Sequence, residues 1–266
     1  MTTSMARIAG DLTGSVVTAE GGSGPQLVFV HGMFAGAWML EPWQRYAADR
    51  GFSSVAVNLR GHCGSRPVED IGRVSIHDYV DDVLEVVRGL DRPIVIGHSM
   101  GGLIAQKVAE SGAARALVLL CSAPPRGIVV ASGRLFLRQL RHMPAVLGSR
   151  PVFPSRADAD ALIFNCVPAG ERAALYASLV PDSGRAGRDI LFGACAVDAR
   201  RVRCPVLSVT AGEDRFLVPR IGRALARKYG AEHRHFAGHG HFVVGEPGWE
   251  EVADVVLTWL AGVGAA

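Results

Sequence analysis

The chain has little of several features that mark particular classes of protein. It contains five cysteines, an odd number, and no two of them stand in a CxxC spacing: Cys63, Cys121, Cys166, Cys195 and Cys204. This pattern does not fit a disulfide framework or a zinc site. It favours a reducing compartment, so we predict a cytoplasmic protein without a metal site.

The patterns that indicate nucleic-acid or membrane partners are also missing. The formal net charge is +3, and the sequence has no block of like charges and no basic stripe interleaved with aromatic residues. No apolar run reaches about 18 residues, the length that predicts a transmembrane helix. The first residues, MTTSMARIAGDLTGSVV, have no apolar stretch behind a basic head, so no secretory signal is expected. We therefore predict a small-molecule partner and no nucleic acid or membrane, with monomer or homodimer left open.

What the chain has in quantity is short apolar runs separated by amphipathic segments. Its 266 residues, 49% hydrophobic, suffice for one large domain, or for one domain with an insertion. Five runs predict buried parallel strands: residues 26–31, 53–59, 93–98, 116–122 and 205–211. Amphipathic stretches predict helices over residues 39–50, 76–90, 100–111 and 249–260. The alternation predicts an α/β fold, a mostly parallel sheet with helices on both faces, entered through a hairpin over residues 10–22.

One region interrupts the alternation. Between residues 123 and 200 the strand signal is weak and prolines recur, with amphipathic pieces such as SGRLFLRQLRHM between them. A structureless loop of that length is uncommon inside a compact domain. We therefore predict a helical cap over residues 123–200, above the ligand-binding end of a core formed by residues 1–122 and 201–266.

The candidate nucleophile is Ser99. The pentapeptide Gly97-His98-Ser99-Met100-Gly101 matches GxSxG where a predicted strand meets a predicted helix, which is the context that gives this motif its meaning. Its glycines allow a sharp turn that exposes the serine, and the backbone N–H of Met100 at the helix start can donate to an oxyanion. The alternative is a glycine-rich turn with an incidental serine.

A second oxyanion donor is expected after the strand over residues 26–31. Gly32 lets the backbone approach the reacting centre, so the N–H of Met33 is the candidate. His31 is interpreted as a hydrogen-bonded structural residue. Substrate contacts are predicted for three side chains near these turns: Phe34, Trp38 and His98.

Five stretches carry a resemblance to a known family. They are HGMFAGAW (31–38), NLRGHCGS (58–65), GHSMGG (97–102), TAGEDRFLVP (210–219) and GHGHFVVGEP (238–247). Their order, across almost the whole chain, resembles the α/β-hydrolase superfamily, and within it the small, capped, esterase-type members. One departure is that Asn58 and Cys63 stand where the family usually has Asp and Gly. The resemblance implies an α/β-hydrolase fold and ester hydrolysis without a cofactor.

The resemblance also implies the acid that would orient a catalytic histidine. The family order is nucleophile, acid, base, and Asp214 matches the acid. Glu213 is the competing carboxylate, although adjacent residues leaving a strand point in different directions. Some members carry the acid one strand earlier, where this chain reads Cys121-Ser122 without a carboxylate. Asp214 could instead cap the helix expected near Val218.

Two histidines compete for the role of base. In the family the base follows a glycine and precedes a glutamate by five positions, which fits His241 with Glu246, whereas His239 has Val244 at that place. His241 is therefore the predicted base. His239 is expected to line the cleft or to bind a loop carbonyl, and a second imidazole close to His241 would lower the pKa of His241.

These expectations combine into acyl transfer from a small apolar ester or lactone to water, with thioesters left open. A cyanohydrin lyase is disfavoured, since plant members of this fold with that activity use a cap lysine and no lysine lies between Lys107 and Lys228. A cofactor-free oxygenase, a perhydrolase and a ligand receptor with a vestigial triad stay open. Several apolar residues of the predicted cap are expected to pack it more often than to line a pocket: Phe136, Leu140, Phe153, Phe164 and Tyr176.

Overall fold

The structure is a computed structural model that describes residues 2–22, 24–130 and 140–264. The strands in these residues are β1 (Thr2–Ala9), β2 (Leu12–Thr18), β3 (Leu27–Val30), β4 (Ser54–Val57), β5 (Ile94–His98), β6 (Ala116–Leu120), β7 (Pro151–Val152), β8 (Asp182–Ser183), β9 (Val206–Ala211) and β10 (Glu232–Phe236). Eight of them form one sheet in the order β1-β2-β4-β3-β5-β6-β9-β10. Strand β2 runs antiparallel to both neighbours, and the other pairs of this sheet are parallel.

The five predicted buried strands are confirmed as β3, β4, β5, β6 and β9, and every residue in them is buried. Continuous runs of Val, Ile and Leu suit strands that are covered on both faces. The N-terminal hairpin lies earlier than predicted, because the chain turns at Gly10 (φ +50°) and β1 begins at Thr2. Strand β10 was missed because its sequence, EHRHF, has no apolar run and lies mostly exposed at the edge of the sheet.

The helices are α1 (Glu41–Ala48), α2 (Ile76–Arg88), α3 (Met100–Glu110), α4 (Met143–Leu147), α5 (Arg172–Ala177), α6 (Gly184–Leu191), α7 (Pro219–Tyr229) and α8 (Trp249–Gly264). Shorter turns lie at Ala37–Leu40, Ile71–Arg73, Leu140–His142, Arg156–Asp158, Ala159–Ile163 and Ala199–Arg201. Apolar residues of α2, α3 and α7 form one core, and those of α1 and α8 form a second core on the other face of the sheet. No described helix is long and apolar enough to cross a membrane.

Residues 123–200 leave the sheet after β6 and return to it at β9. The described part contains α4, α5 and α6, and also an antiparallel ribbon of β7 and β8 that was not predicted. Strands of two residues carry too little sequence to show periodicity. The ribbon lies against the turn at Ile71–Arg73, where a Cβ on Gly72 would come within 2.4 Å of the Arg150 backbone. Most of the piece SGRLFLRQLRHM, including Phe136, lies outside the described residues.

Candidate active site

The turn between β5 and α3 holds Ser99 in a conformation that few non-glycine residues adopt. Its φ is +55° and its ψ is −120°, a strained combination found at nucleophile turns. The two motif glycines are required by close backbone packing, since a Cβ on Gly97 would lie 2.3 Å from the Gly101 carbonyl oxygen and one on Gly101 would lie 2.2 Å from that of Val30. The sequence motif therefore encodes the turn that presents Ser99.

Ser99, His241 and Asp214 form a continuous hydrogen-bonded chain. His241 Nε2 lies 3.0 Å from Ser99 Oγ, and His241 Nδ1 lies 2.9 Å from Asp214 Oδ2. All three residues are buried. Because an ionised carboxylate only accepts hydrogen bonds, the proton of a neutral His241 sits on Nδ1, which leaves the Nε2 lone pair facing the serine hydroxyl. The three residues predicted from separate motifs thus meet in one place.

The structure distinguishes the two neighbouring carboxylates. Asp214 Oδ1 accepts hydrogen bonds from the N–H groups of Phe216 (2.8 Å) and Leu217 (2.7 Å), which leaves Oδ2 for His241. The side chain of Glu213 is more than half exposed and faces Arg215 instead. Asp214 does not cap α7, whose first residue is Pro219. The buried thiol of Cys121 lies beside Asp214. Its pKa is raised well above the usual range, mainly by burial and secondly by the charge of the Asp214 carboxylate.

The imidazole that packs on His241 is that of His98, so the suggestion that His239 takes this place is corrected. The ring centroids of His98 and His241 are 5.1 Å apart, and His98 Nε2–H donates to the His241 carbonyl oxygen at 2.8 Å. His239 turns away: its Nδ1 lies 2.9 Å from Oε1 of the buried Glu246, which also accepts the Gly240 N–H at 2.6 Å. His239 and Glu246 therefore fix the loop that carries His241.

The loop after β3 brings its backbone against Ser99. A Cβ on Gly32 would lie 2.9 Å from Ser99 Cβ, so only glycine allows this approach. His31 Nδ1–H donates to the Gly32 carbonyl oxygen at 2.8 Å, and His31 Nε2 accepts the Leu59 N–H at 3.3 Å. His31 is therefore a neutral, hydrogen-bonded loop anchor, as expected. Met33 and Met100, which carry the predicted oxyanion donors, both border the cleft above Ser99.

Two buried histidines with lowered pKa values make the fold sensitive to acid. Burial, followed by a neighbouring histidine, lowers the pKa of His31 and of His98 to about 3. An unfolded histidine titrates near 6.5, so between these values the unfolded state binds the extra protons and stability falls as the pH falls. The pKa of His62 is raised on folding, so its contribution to stability is fully present below the pKa of an unfolded histidine. His62 therefore does not add to the loss of stability in that pH range.

We expect the free energy of unfolding to drop by about 3 kcal/mol from pH 6.5 to pH 5, roughly half of it from each histidine. Urea unfolding at the two pH values measures the drop. In His98→Gln the drop should shrink by about half. An unfolding midpoint in wild type that is the same at both pH values would contradict the neutral, buried state of these rings.

Two cavities meet at Ser99. The larger cleft, with about 1000 Å³ of empty space including its open mouth, is almost wholly apolar and draws much of its wall from the insertion: Val130, Met143, Val146, Val152, Phe153, Leu162, Ile163, Ile190 and Leu191. The smaller cavity, about 440 Å³, is bordered by His98, His241, Trp38, Phe164 and Phe242. Phe34, Met33 and Phe216 border both.

The predicted substrate contacts therefore fall in different places. Phe34 borders both cavities, whereas Trp38 and His98 border the smaller one. The Tyr176 ring packs on Phe153, and its hydroxyl donates to the Pro154 carbonyl oxygen at 3.0 Å, which is a packing role. Within the described ranges, no three His, Cys, Asp or Glu side chains come together in a way that could hold a metal ion.

Comparison with known proteins places the chain in a family. Residues 27–255 match the model of the alpha/beta hydrolase family. The chain is 38% identical over 84 residues to 2-(acetamidomethylene)succinate hydrolase of Mesorhizobium japonicum, covering 31% of this chain and 29% of that protein. It matches between 26% and 41% of the length of the curated relatives that it resembles.

Solved structures share the fold over nearly the full length at low identity. The monoacylglycerol lipase of Paleococcus ferrophilus matches with a TM-score of 0.73 and 20% identity, covering 99% of this chain and 100% of that one. A thermophilic esterase from Thermogutta terrifontis matches with a TM-score of 0.70 and 17% identity, covering 98% of each chain. With the family model spanning residues 27–255, the chain belongs to the alpha/beta hydrolase family.

Proposed function

We propose that the protein hydrolyses a carboxylic ester or lactone with an apolar acyl group, through an acyl-enzyme on Ser99. The observation that carries the proposal is the hydrogen-bonded chain of Ser99, His241 and Asp214 at the base of an almost wholly apolar cleft. Hydrolases, esterases and lipases among the similar proteins support this class of reaction. The cap role of residues 123–200 is part of the proposal, since they supply much of the cleft wall.

The chemistry follows from where protons can move. His241 Nε2 takes the Ser99 proton as Oγ attacks the ester carbonyl carbon, and Asp214 stabilises the imidazolium that forms. The N–H groups of Met33 and Met100 hold the negative oxygen of the tetrahedral intermediate, and one such donor is worth about 3 kcal/mol in measured cases. His241 then protonates the leaving alcohol, and water repeats the sequence on the acyl-enzyme. These steps use only groups of this chain, the substrate and water.

The position of His241 supports an assignment of the two cavities to the two parts of the proposed substrate. The imidazole has to reach the leaving oxygen, and His241 borders the smaller cavity but is absent from the wall of the larger cleft. The alcohol therefore occupies the smaller cavity, and the acyl chain extends into the larger cleft under the insertion. A substrate with a long acyl group and a small alcohol fits this division.

Two isomeric esters test the proposal. Methyl octanoate and heptyl acetate have the same atoms and differ in which side of the ester carries the long chain. We expect kcat/KM for methyl octanoate to be higher by on the order of tenfold or more, because each buried CH₂ contributes about 0.8 kcal/mol. Titration of the released acid measures both rates, with Ser99→Ala as the background.

The outcomes separate the two parts of the proposal. A preference for heptyl acetate would reverse the assignment of the cavities while keeping the reaction class. If neither these esters nor the matching lactones and thioesters were hydrolysed faster than by Ser99→Ala, the hydrolase proposal would be wrong.

A further inference from the structure

The insertion places the carboxylate of Asp182 in the interior of the core. Asp182, the first residue of β8, is fully buried, and both carboxylate oxygens are used. Oδ1 accepts the Tyr79 hydroxyl at 2.9 Å and the Ser183 N–H at 2.6 Å. Oδ2 accepts the Phe34 N–H at 2.9 Å and lies 3.1 Å from His62 Nε2. The insertion is thereby tied to the loop that follows β3.

The partner of this carboxylate is a charged histidine. His62 is also fully buried, and its Nδ1 lies 2.9 Å from the Arg60 carbonyl oxygen, while its Nε2 faces Asp182. Nδ1 is at hydrogen-bond distance from a carbonyl oxygen, and Nε2 lies against the carboxylate at ion-pair distance but outside hydrogen-bond geometry, so the buried ring is the cation that balances Asp182. Burial is the largest single influence and lowers the pKa of His62, but the Asp182 carboxylate and backbone hydrogen bonds together outweigh it, so the net shift is upward. Burial raises the pKa of Asp182, but His62 and the backbone donors outweigh it and lower it.

The peptide groups around Met33 are fixed on both sides by this arrangement. The described chain has no cis peptide bonds, so the N–H of Met33 points opposite to the carbonyl of Gly32. That carbonyl accepts the His31 Nδ1–H, and the next N–H along the chain, that of Phe34, is held by Asp182. Phe34 has φ +68°, which a non-glycine residue keeps only when its surroundings enforce it.

The two groups that hold these peptides, His31 and Asp182, are linked through His62. The ring of His31 lies 5.1 Å from that of His62, and the His62 ring meets the Tyr79 ring edge-on at 5.8 Å. A displacement of Asp182 therefore affects the Phe34 N–H directly and His31 through His62. Both would change the direction of the Met33 N–H, which is the proposed oxyanion donor.

We propose that Asp182, paired with His62, is a positioning residue that aims the Met33 N–H at the oxyanion, so that the insertion completes the oxyanion hole. This inference rests on the proposed function of the same site. A buried ion pair contributes little net stability but can specify one arrangement of the groups around it. Here the arrangement is that of two consecutive peptide groups beside Ser99.

The test compares Asp182→Asn with Tyr79→Phe. Asparagine keeps the size of the side chain but removes the charge facing His62. Tyr79→Phe removes only the hydrogen bond from the Tyr79 hydroxyl to Oδ1 of Asp182, and it leaves the Phe34 N–H bound to Oδ2. We expect kcat for methyl octanoate to fall about 100-fold in Asp182→Asn with KM within about threefold, since a lost oxyanion donor lowers kcat by about 10²–10³. Tyr79→Phe should stay within about threefold of wild type.

Two inhibitors separate positioning from general damage. A trifluoromethyl ketone forms a tetrahedral adduct on Ser99 and needs the oxyanion donors, whereas the matching secondary alcohol binds the cleft without reacting. In Asp182→Asn the inhibition constant of the ketone should rise in parallel with the loss of kcat, and that of the alcohol should not change. Equal weakening of both inhibitors, or a folded Asp182→Asn with wild-type kcat, overturns the inference.

A second variant keeps the test decisive if Asp182→Asn does not fold. His62→Gln retains a hydrogen-bond donor toward Asp182 but removes the charge, and we expect the same selective loss of kcat and ketone affinity, by about tenfold. Unchanged values in a folded His62→Gln contradict the pairing.

The rate of reaction with a fluorophosphonate separates this inference from the proposed function. If wild type reacts with it but hydrolyses no ester, the proposed function is wrong, and the ratio of the Asp182→Asn and Tyr79→Phe reaction rates still decides the role of Asp182. If wild type does neither, both proposals are wrong.

Discussion

Alanine at Ser99 or at His241 abolishes the reaction of the protein with a fluorophosphonate, whereas alanine at His239 leaves it within about fivefold of wild type. Ser99 supplies the attacking oxygen, and His241 Nε2, 3.0 Å away, is the base placed to take its proton. In enzymes with this arrangement, loss of either residue lowers kcat by on the order of 10⁶. The mass of the intact protein shows one adduct in wild type and His239→Ala and none in the other two.

His239→Ala is the matched control, because both histidines follow a glycine in the same loop and both face a carboxylate. His239 binds Glu246 and not Asp214, so its loss loosens the loop without removing the base. An adduct on His241→Ala at the wild-type rate would assign the base elsewhere. An unlabelled wild type would favour a ligand receptor or a cofactor-free oxygenase, and ligand binding or oxygen uptake would then be measured.

The sequence predicted the site best where the chemistry constrains the backbone. Gly32 and the glycines around Ser99 are needed because neighbouring atoms lie within 3 Å of the places where their Cβ atoms would be. The glycines of the motif therefore predict the close backbone packing of the turn. Asp214 and His241 came from the resemblance to the family, and the structure brings both to Ser99. The sheet was predicted for a similar reason, since strands covered on both faces must be apolar throughout.

The parts that were missed depend on which side chains meet in space. Asp182, His62 and Tyr79 come from three separate segments and carry no common motif, so only the fold brings them together. The wrong prediction that His239 lies beside His241, where the structure has His98, has the same origin. The spacing of two histidines along a loop does not give the directions of their rings. His98 was singled out by its place beside the nucleophile, but nothing in the sequence shows that it binds the His241 carbonyl.

Replacing Asp214 by asparagine produces the second large loss, about 10⁴-fold in kcat, with almost no change in stability. The carbonyl oxygen of the new amide still accepts the N–H groups of Phe216 and Leu217, so the loop keeps its anchor. The amide NH₂ then faces His241 Nδ1, and the two can bond only if Nδ1 gives up its proton. The proton moves to Nε2, which can no longer accept the one on Ser99.

Glu213→Gln is the matched control for this change, because it removes the neighbouring charge at an exposed position on the same turn. We expect it to keep kcat within about twofold of wild type, as for surface substitutions away from the site. Urea unfolding of Asp214→Asn should give a midpoint close to that of wild type, which separates a tautomer effect from a loss of folded protein. A large loss in Glu213→Gln together with an active Asp214→Asn would instead show that the carboxylate of Glu213 orients His241 in solution.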